Sequence, residues 1–360
     1  MLEVHPVIGL AEFSDFDNHK ALYRFEDAVC GLKGFIAIHN DNLGQATGGT
    51  RMFPYKTEEE AITDVLKLSR AMTYKCALAG VRHGGGKAVI IGDPEKDKSK
   101  EMLYAYADAV NSLKGSFSTG EDVGISEDDV QSMLEKSRFF NGRRGVAGDP
   151  SPYAALSTFY ALGTTVEECF GMEGLFNRTV ALKGIGKVGT ELLKLLTGVG
   201  AQIIAADIKP AVVQEVLARY PQIKVVAAEQ IHAENAEIFS PCALGGDLNE
   251  KTVKEIKARI ICGAANNQLA GAAVGNLLFK KNICYVPDYV ANAGGLINVV
   301  DELEEGGYNR KRVLLRIENI KNTLRTIYLV SRQKNQPPVR VADRLAEEIF
   351  KNGKRGKGNV

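Results

Sequence analysis

Two lysines twelve positions apart carry the first chemistry this sequence suggests: Lys75 in Met72-Thr73-Tyr74-Lys75 and Lys87 in Gly84-Gly85-Gly86-Lys87-Ala88-Val89-Ile90. A lysine in water keeps its proton up to about pH 10 and is a poor base at neutrality; desolvation or a neighbouring cation frees the amine. Both lysines sit among small or apolar neighbours. Two of them in one cleft would divide the labour, one staying charged to hold a carboxylate and the other shedding its proton to act as a base. Ordinary helix and loop lysines are the plain alternative. The glycines before Lys87 argue against it there, because they let backbone approach a ligand closely.

A second pattern binds rather than reacts. Gly184-Ile185-Gly186-Lys187-Val188-Gly189 follows the strand-like Thr179-Val180-Ala181-Leu182 and opens a helix. Such glycines permit a tight turn and bring backbone N–H groups to a pyrophosphate at a helix N-terminus. Asp207 ends the next strand, at the spacing of roughly 20 residues expected for an acid that accepts hydrogen bonds from an adenosine ribose. It would repel a 2′-phosphate, favouring NAD over NADP, while Lys209 would soften that preference. Gly184, Gly186, Lys187, Val188, Gly189 and Asp207 are the expected cofactor contacts. A glycine turn needed only for packing is the alternative.

The elements that must position these residues fall into two sets. Residues 34–39 and 88–91 read as buried strands, and residues 58–74 as an amphipathic helix that delivers Lys75 at its C-terminal end. Helices are also expected over 101–113 and from Ser126. The Gly- and Pro-rich stretch 141–152 has no periodicity and reads as a hinge. After a helix over 153–169, strands and helices alternate through residue 286, the pattern of a parallel, doubly wound sheet. The fold class is therefore α/β with two domains: an N-terminal mixed α/β substrate and oligomerisation domain (1–147 plus 333–360), and a Rossmann-type NAD domain (148–332). The closing helices, 310–331 and 341–350, are expected to lead back to the first domain.

Composition excludes several classes. At 360 residues, 45% apolar and net charge +1, the chain offers no bulk electrostatic reason to bind nucleic acid or an acidic membrane. The six cysteines form no C-x-x-C pair and the five histidines no ligand spacing, so no metal site is expected and a reducing compartment is. No window approaches a membrane span and no basic-then-apolar leader is present, which points to the cytoplasm. The basic tail, residues 351–357, reads as a solvated end.

With these features assembled, the sequence resembles the amino-acid dehydrogenases that act on Glu, Leu, Phe and Val, nearest the leucine/phenylalanine/valine branch. The motifs run in order along most of the chain: Gly48-Gly49-Thr50-Arg51-Met52, Met72–Lys75, Gly84–Lys87, Glu121-Asp122-Val123-Gly124, Pro241-Cys242-Ala243-Leu244-Gly245, Gly263-Ala264-Ala265-Asn266-Asn267-Gln268-Leu269, and Pro287-Asp288-Tyr289-Val290 with Asn292-Ala293-Gly294-Gly295. The resemblance implies NAD-dependent, reversible oxidative deamination of an L-amino acid by a homo-oligomer, from dimer to octamer, built through the first domain. It implies Lys75 for the substrate carboxylate, Lys87 as the catalytic lysine, uncharged when it acts, and Asp122 as the acid that exchanges protons with the amino nitrogen. Gly48 and Gly49 would present backbone to the carboxylate. Cys242, Ala243, Asn266 and Asn292 join the cofactor contacts, and Asn267 the substrate contacts.

Glutamate-specific relatives carry a lysine and a serine where this chain has Thr47 and Val299, so a γ-carboxylate would be buried with no cation opposite it. Gly120 and Leu296 form a pair typical of phenylalanine-preferring relatives. Phenylalanine is therefore the expected first substrate, followed by leucine and valine, with tryptophan behind them. Two departures stand out: Ala154 where relatives usually have Thr near the nicotinamide amide, and a short hinge. Rival readings are a non-catalytic NAD sensor, which has no use for Lys75, Lys87 and Asp122 together, and a hydroxy-acid dehydrogenase, for which neither His83 nor His232 has a suitable setting.

Overall fold

The computed structural model describes residues 1–171 and 174–353. These form two units: Met1–Asp149, Val299–Asn309 and the chain from Ala346 onward make one, and Pro150–Asn298 with Arg310–Leu345 the other.

In the first unit, strands β1 (Glu3–Pro6), β2 (Ala21–Asp27), β3 (Leu32–Asn40), β4 (Ala46–Thr47), β5 (Thr50–Phe53), β6 (Gly84–Ile91) and β7 (Phe117–Ser118) form one mixed sheet. Its order is β1-β2-β3-β6-β4-β7, with β5 also paired to β6. Helix α1 (Glu58–Leu78) covers one face; α2 (Lys100–Ser112) and α3 (Glu127–Leu134) cover the other. Strand alternation sorts the side chains. Ala88 and Ile90 pack with Met102, Tyr106 and Val110 of α2, whereas Val89 packs with Ala61, Ile62, Val65 and Leu66 of α1. Lys87 shares the parity of Val89, so the strand itself turns this lysine toward α1.

Helix α1 begins where Thr57 caps the Glu60 N–H at 3.2 Å, with Glu58, Glu59 and Glu60 complementing the positive end of the helix. Its far end lies directly on β6, because a Cβ on Gly85 would stand 2.1 Å from Thr73 N. That end is held by a buried polar group. His39 Nδ1 and Thr73 Oγ1 are 2.8 Å apart, and His39 Nε2 and the Asp17 carbonyl 3.0 Å; His19 packs edge-on to His39 and bonds to the Leu66 carbonyl. Burial, helped by the charge of His19, pushes His39 down to about 4. Between pH 6.5 and 4 the unfolded chain therefore binds more protons at this residue than the folded one. Stability should be constant above that window and fall as pH drops through it, by about 3 kcal/mol in all. Urea titrations from pH 7.5 to 4.5 on wild type and His39→Gln test this, the variant giving the flatter dependence; parallel curves would refute it.

The second unit opens with α4 (Ser151–Phe170), followed by β8 (Thr179–Lys183), α5 (Lys187–Gly198), β9 (Gln202–Ala206), α6 (Pro210–Arg219), β10 (Lys224–Val225), β11 (Ile238–Pro241), α7 (Glu250–Glu255), β12 (Ile260–Ile261), α8 (Ala272–Lys280) and β13 (Cys284–Tyr285). The six strands are all parallel, in the order β10-β9-β8-β11-β12-β13. The order reverses between β8 and β11, the position where doubly wound sheets open a ligand crevice at their carboxyl ends. Short α9 (Asp288–Ala291) and α10 (Gly294–Val300) follow, then α11 (Arg310–Glu318), α12 (Ile320–Lys334) and α13 (Pro338–Asn352).

The unit boundaries differ from those read in the sequence. Residues 299–309 belong to the first unit, and the final return comes at Ala346 instead of 333. The helix expected over 310–331 stays with the second unit as α11 and α12: Tyr328 bonds Thr165 of α4, and Arg325 pairs with Glu167. Ile320, Leu324, Ile327 and Tyr328 of α12 are buried there. The returned segment 299–309 is anchored by Glu302, whose carboxylate accepts the N–H groups of Gly142 (3.2 Å), Arg143 (3.0 Å) and Ala147 (3.0 Å). The basic tail lies outside the described residues from 354 on.

Candidate functional site

Three charged side chains meet on the α1 face of the first sheet. Lys87 Nζ lies 2.6 Å from Asp122 Oδ2, and Arg51 Nε lies 3.5 Å from the same oxygen. Lys87 is only 6% exposed, so this charge is held inside the protein. Arg51, on β5, reaches α1 through Asp64 (2.9 Å), which also accepts the Tyr55 hydroxyl at 2.6 Å. Burial pushes the Asp122 carboxyl up, but the charges of Lys87 and Arg51 and the Val123 N–H outweigh it and hold it at about 2. Asp122 is thus a carboxylate at any physiological pH. Neither Asp122 Oδ2 nor Arg51 Nε has a partner in hydrogen-bond geometry among the described residues. The contacts are therefore charge against charge.

Glycines make the approach feasible. A Cβ on Gly49 would meet Glu121 O at 2.6 Å, Asp122 Cβ at 3.0 Å and Lys87 Nζ at 3.3 Å. One on Gly48 would meet Gly86 O at 1.9 Å. The two glycines let the 48–50 segment lie against both β6 and the 121–122 turn. Lys75, half-buried in the last turn of α1, lies two residues beyond Thr73, which Gly85 supports from below.

Of the residues read as walls of a side-chain pocket, Thr47 is buried. Its hydroxyl is engaged by Ser118 Oγ (3.1 Å) and Asn141 Nδ2 (3.5 Å). A Cβ on Gly120 would meet the Asn141 carbonyl at 2.9 Å. A methyl there therefore acts first on the 139–142 segment. Asn141, 3% exposed with Oδ1 lacking a donor among the described residues, joins Thr47 and Gly120 in one polar group. Leu296 and Val299 are both half-buried and stand three apart on α10, on one helical face.

The second unit holds the remaining candidates around one turn. Gly184 has φ +92°, and a Cβ there would strike Ala243 N at 2.8 Å; one on Gly189 would strike Gly184 O at 2.0 Å. At Gly186, the N-cap of α5, a Cβ would meet nothing within 4 Å, so the turn opens to space. Lys187 is exposed and Val188 half-buried in the first turn of α5. Asp207 Oδ2 accepts the Ile185 N–H at 2.9 Å and Oδ1 the Lys209 N–H at 2.9 Å. The acid therefore shapes the turn, with lone pairs left for a diol. Cys242 Sγ accepts the Ala264 N–H (3.3 Å), and Asn292 Nδ2 donates to the Ala264 carbonyl (3.0 Å) and to Asn266 Oδ1 (2.7 Å). Asn292 Oδ1 is buried with no donor among the described residues. Asn267 adopts φ +53°, and its N–H donates to Asp288 Oδ2 at 2.5 Å. Ala154, in the first turn of α4, lies with its Cβ 3.5 Å from where Gly295 would carry one.

Comparison with known proteins accounts for this combination. Residues 19–139 match the model of the Glu/Leu/Phe/Val dehydrogenase dimerisation domain, and residues 209–347 that of Glutamate/Leucine/Phenylalanine/Valine dehydrogenase. The chain belongs to this dehydrogenase family. It is 40% identical to a phenylalanine dehydrogenase of Lysinibacillus sphaericus (97% of this chain, 95% of that one) and 40% identical to a leucine dehydrogenase of Geobacillus stearothermophilus (92% and 90%). Among solved structures, an L-tryptophan dehydrogenase from Nostoc punctiforme superposes with TM-score 0.80 at 39% identity, covering 94% of this chain and 97% of the other. The two-domain α/β fold with a Rossmann-type parallel sheet and the amino-acid dehydrogenase activity, an oxidoreduction at a CH–NH2 group, follow from membership. No helix of the described residues is long and apolar enough to cross a membrane.

Sequence reasoning did not single out Arg51 or Asn141. Arg51 was visible only as the last charged member of Gly48–Arg51, and its alternation with buried Met52 was the available signal. Asn141 was absorbed into the hinge.

Proposed function

We propose that this protein catalyses the reversible, NAD-dependent oxidative deamination of an apolar L-amino acid, phenylalanine first, then leucine and valine, as a cytoplasmic homo-oligomer. The observation that carries it is the buried Lys87–Asp122 pair, 2.6 Å apart beside Gly49. The glycine turn at 184–189, open at Gly186 and backed by Asp207, suits a dinucleotide, and the Asp207 carboxylate disfavours a 2′-phosphate. Bound NAD would accept the hydride from the substrate Cα.

The chain's own groups handle the protons. Lys75 holds the substrate carboxylate, with the backbone at Gly48 and Gly49 alongside. Asp122, ionised, takes a proton from the substrate ammonium. Lys87 removes a proton from the water that attacks the imine carbon, and Asp122 returns its proton to nitrogen as ammonia leaves the 2-oxo acid. For that step Lys87 must give up its own proton, which the substrate's positively charged surroundings promote. Thr47 and Val299 put no cation against a side-chain carboxylate, so glutamate would cost several kcal/mol. Gly120 and Leu296 suit a flat ring. Asn267 would contact substrate; Cys242, Ala243, Asn266 and Asn292 would line the nicotinamide side.

Following NADH absorbance with NAD or NADP and a panel of L-amino and 2-hydroxy acids tests this. Phenylalanine should give the highest kcat/KM, glutamate at least about a hundredfold less, and NADP less than NAD. Turnover of hydroxy acids alone, or of nothing, would refute the reading.

A further inference from the structure

Asp122 Oδ2 is shared: Lys87 Nζ stands 2.6 Å and Arg51 Nε 3.5 Å from one oxygen. Lys87, buried, and Arg51, half-buried, thus compete for a single negative charge. We propose that Arg51 is a positioning residue that sets the pH at which Lys87 becomes a base, by drawing the charge of Asp122 away from it. The proposal rests on the deamination reading above.

The geometry supports this in three ways. Arg51 and Lys87 leave neighbouring strands β5 and β6 on the same face, since Arg51 is in register with Val89 and Val89 shares the parity of Lys87. Arg51 is fixed from its other side by Asp64 on α1, at 2.9 Å, so it cannot swing away from Asp122 freely. Its Nε has no hydrogen-bonding partner among the described residues, so its contact with Asp122 is one of charge. The groups described at this centre include Lys87 on β6, Arg51 on β5, Asp122 and the Val123 N–H on the turn after β7, and Asp64 with Tyr55 behind Arg51. Arg51 is the residue that balances two anions, Asp64 and Asp122, and so passes a change at either to the other.

The test is the pH profile of kcat for deamination, whose acid limb reports the base. In Arg51→Met, Asp122 serves Lys87 alone and the limb should move up by about one pH unit. Arg51→Lys, which keeps the charge, should restore it most of the way. In Asp64→Asn, Arg51 loses its counter-ion and the limb should move down. Opposite shifts in the two variants are not produced by loosened packing. An unmoved limb in a folded Arg51→Met overturns the proposal. If that variant does not fold, an unmoved limb in Asp64→Asn does so. Failure of the wild type to deaminate any amino acid would instead overturn the underlying reading, as would full activity in Lys87→Ala.

Discussion

Lys87→Ala is expected to lower kcat for deamination by about a thousandfold or more, a loss of about 4 kcal/mol in transition-state stabilisation. The substrate KM should change little, because Lys75 and the 48–49 backbone hold the carboxylate. Dinucleotide binding, measured by NADH fluorescence, should be intact, since the turn at 184–189 belongs to the other unit. Lys87→Arg should be as inactive as the alanine variant: a guanidinium keeps the charge and the pairing with Asp122 but does not release a proton near neutrality. This contrast separates a base from a structural ion-pair partner. If arginine restores activity, Lys87 serves only to hold Asp122. The variants should remain folded, because Arg51 still compensates Asp122 at 3.5 Å.

Gly49→Ala should be nearly as severe, for a geometric reason. The added methyl would meet the Glu121 carbonyl at 2.6 Å, closer than real Cβ atoms stand, so the 121–122 turn or the 48–50 segment must move. Either shift separates Asp122 from Lys87. A displacement near 1 Å among reacting groups costs on the order of a hundredfold in rate, and overpacking of this kind costs about 1–3 kcal/mol of stability. Gly163→Ala, in the middle of α4 where a Cβ meets nothing within 4 Å, is the matched control and should be neutral or slightly stabilising. Thermal melts and kcat/KM on both variants decide it; a Gly49→Ala enzyme within fivefold of wild type would contradict the described packing.

Much of this was legible in the sequence because each signal was local. The glycine turn and Asp207 announce themselves by spacing, and the second sheet by strand–helix alternation. The 58–74 periodicity placed Lys75 at a helix end, where the structure has it at the last turn of α1. Contacts that join distant segments were not legible. Arg51 meets Asp122 because β5 runs parallel to β6 in a given register, and a four-residue strand such as β5 leaves no pattern in a sequence. Asn141 meets Thr47 through a similarly nonlocal route. The close contact between Lys87 and Asp122 was hidden for a related reason. The lysine's apolar neighbours were visible, but the carboxylate that stands 2.6 Å from it comes from 35 residues downstream. Domain boundaries were blurred by α10 and α13, each of which runs across a boundary without a break in helical pattern.

The three N–H bonds that Glu302 receives from Gly142, Arg143 and Ala147 bear on modular engineering. They knot the outgoing thread, which leaves the first unit after Asp149, to the incoming thread, which rejoins it at Val299. A nucleotide-binding module transplanted from a relative should therefore comprise 150–298 together with 310–345, leaving 299–309 and the knot whole with the recipient. A graft that brings in a foreign 140s loop must bring its own partner for those amides.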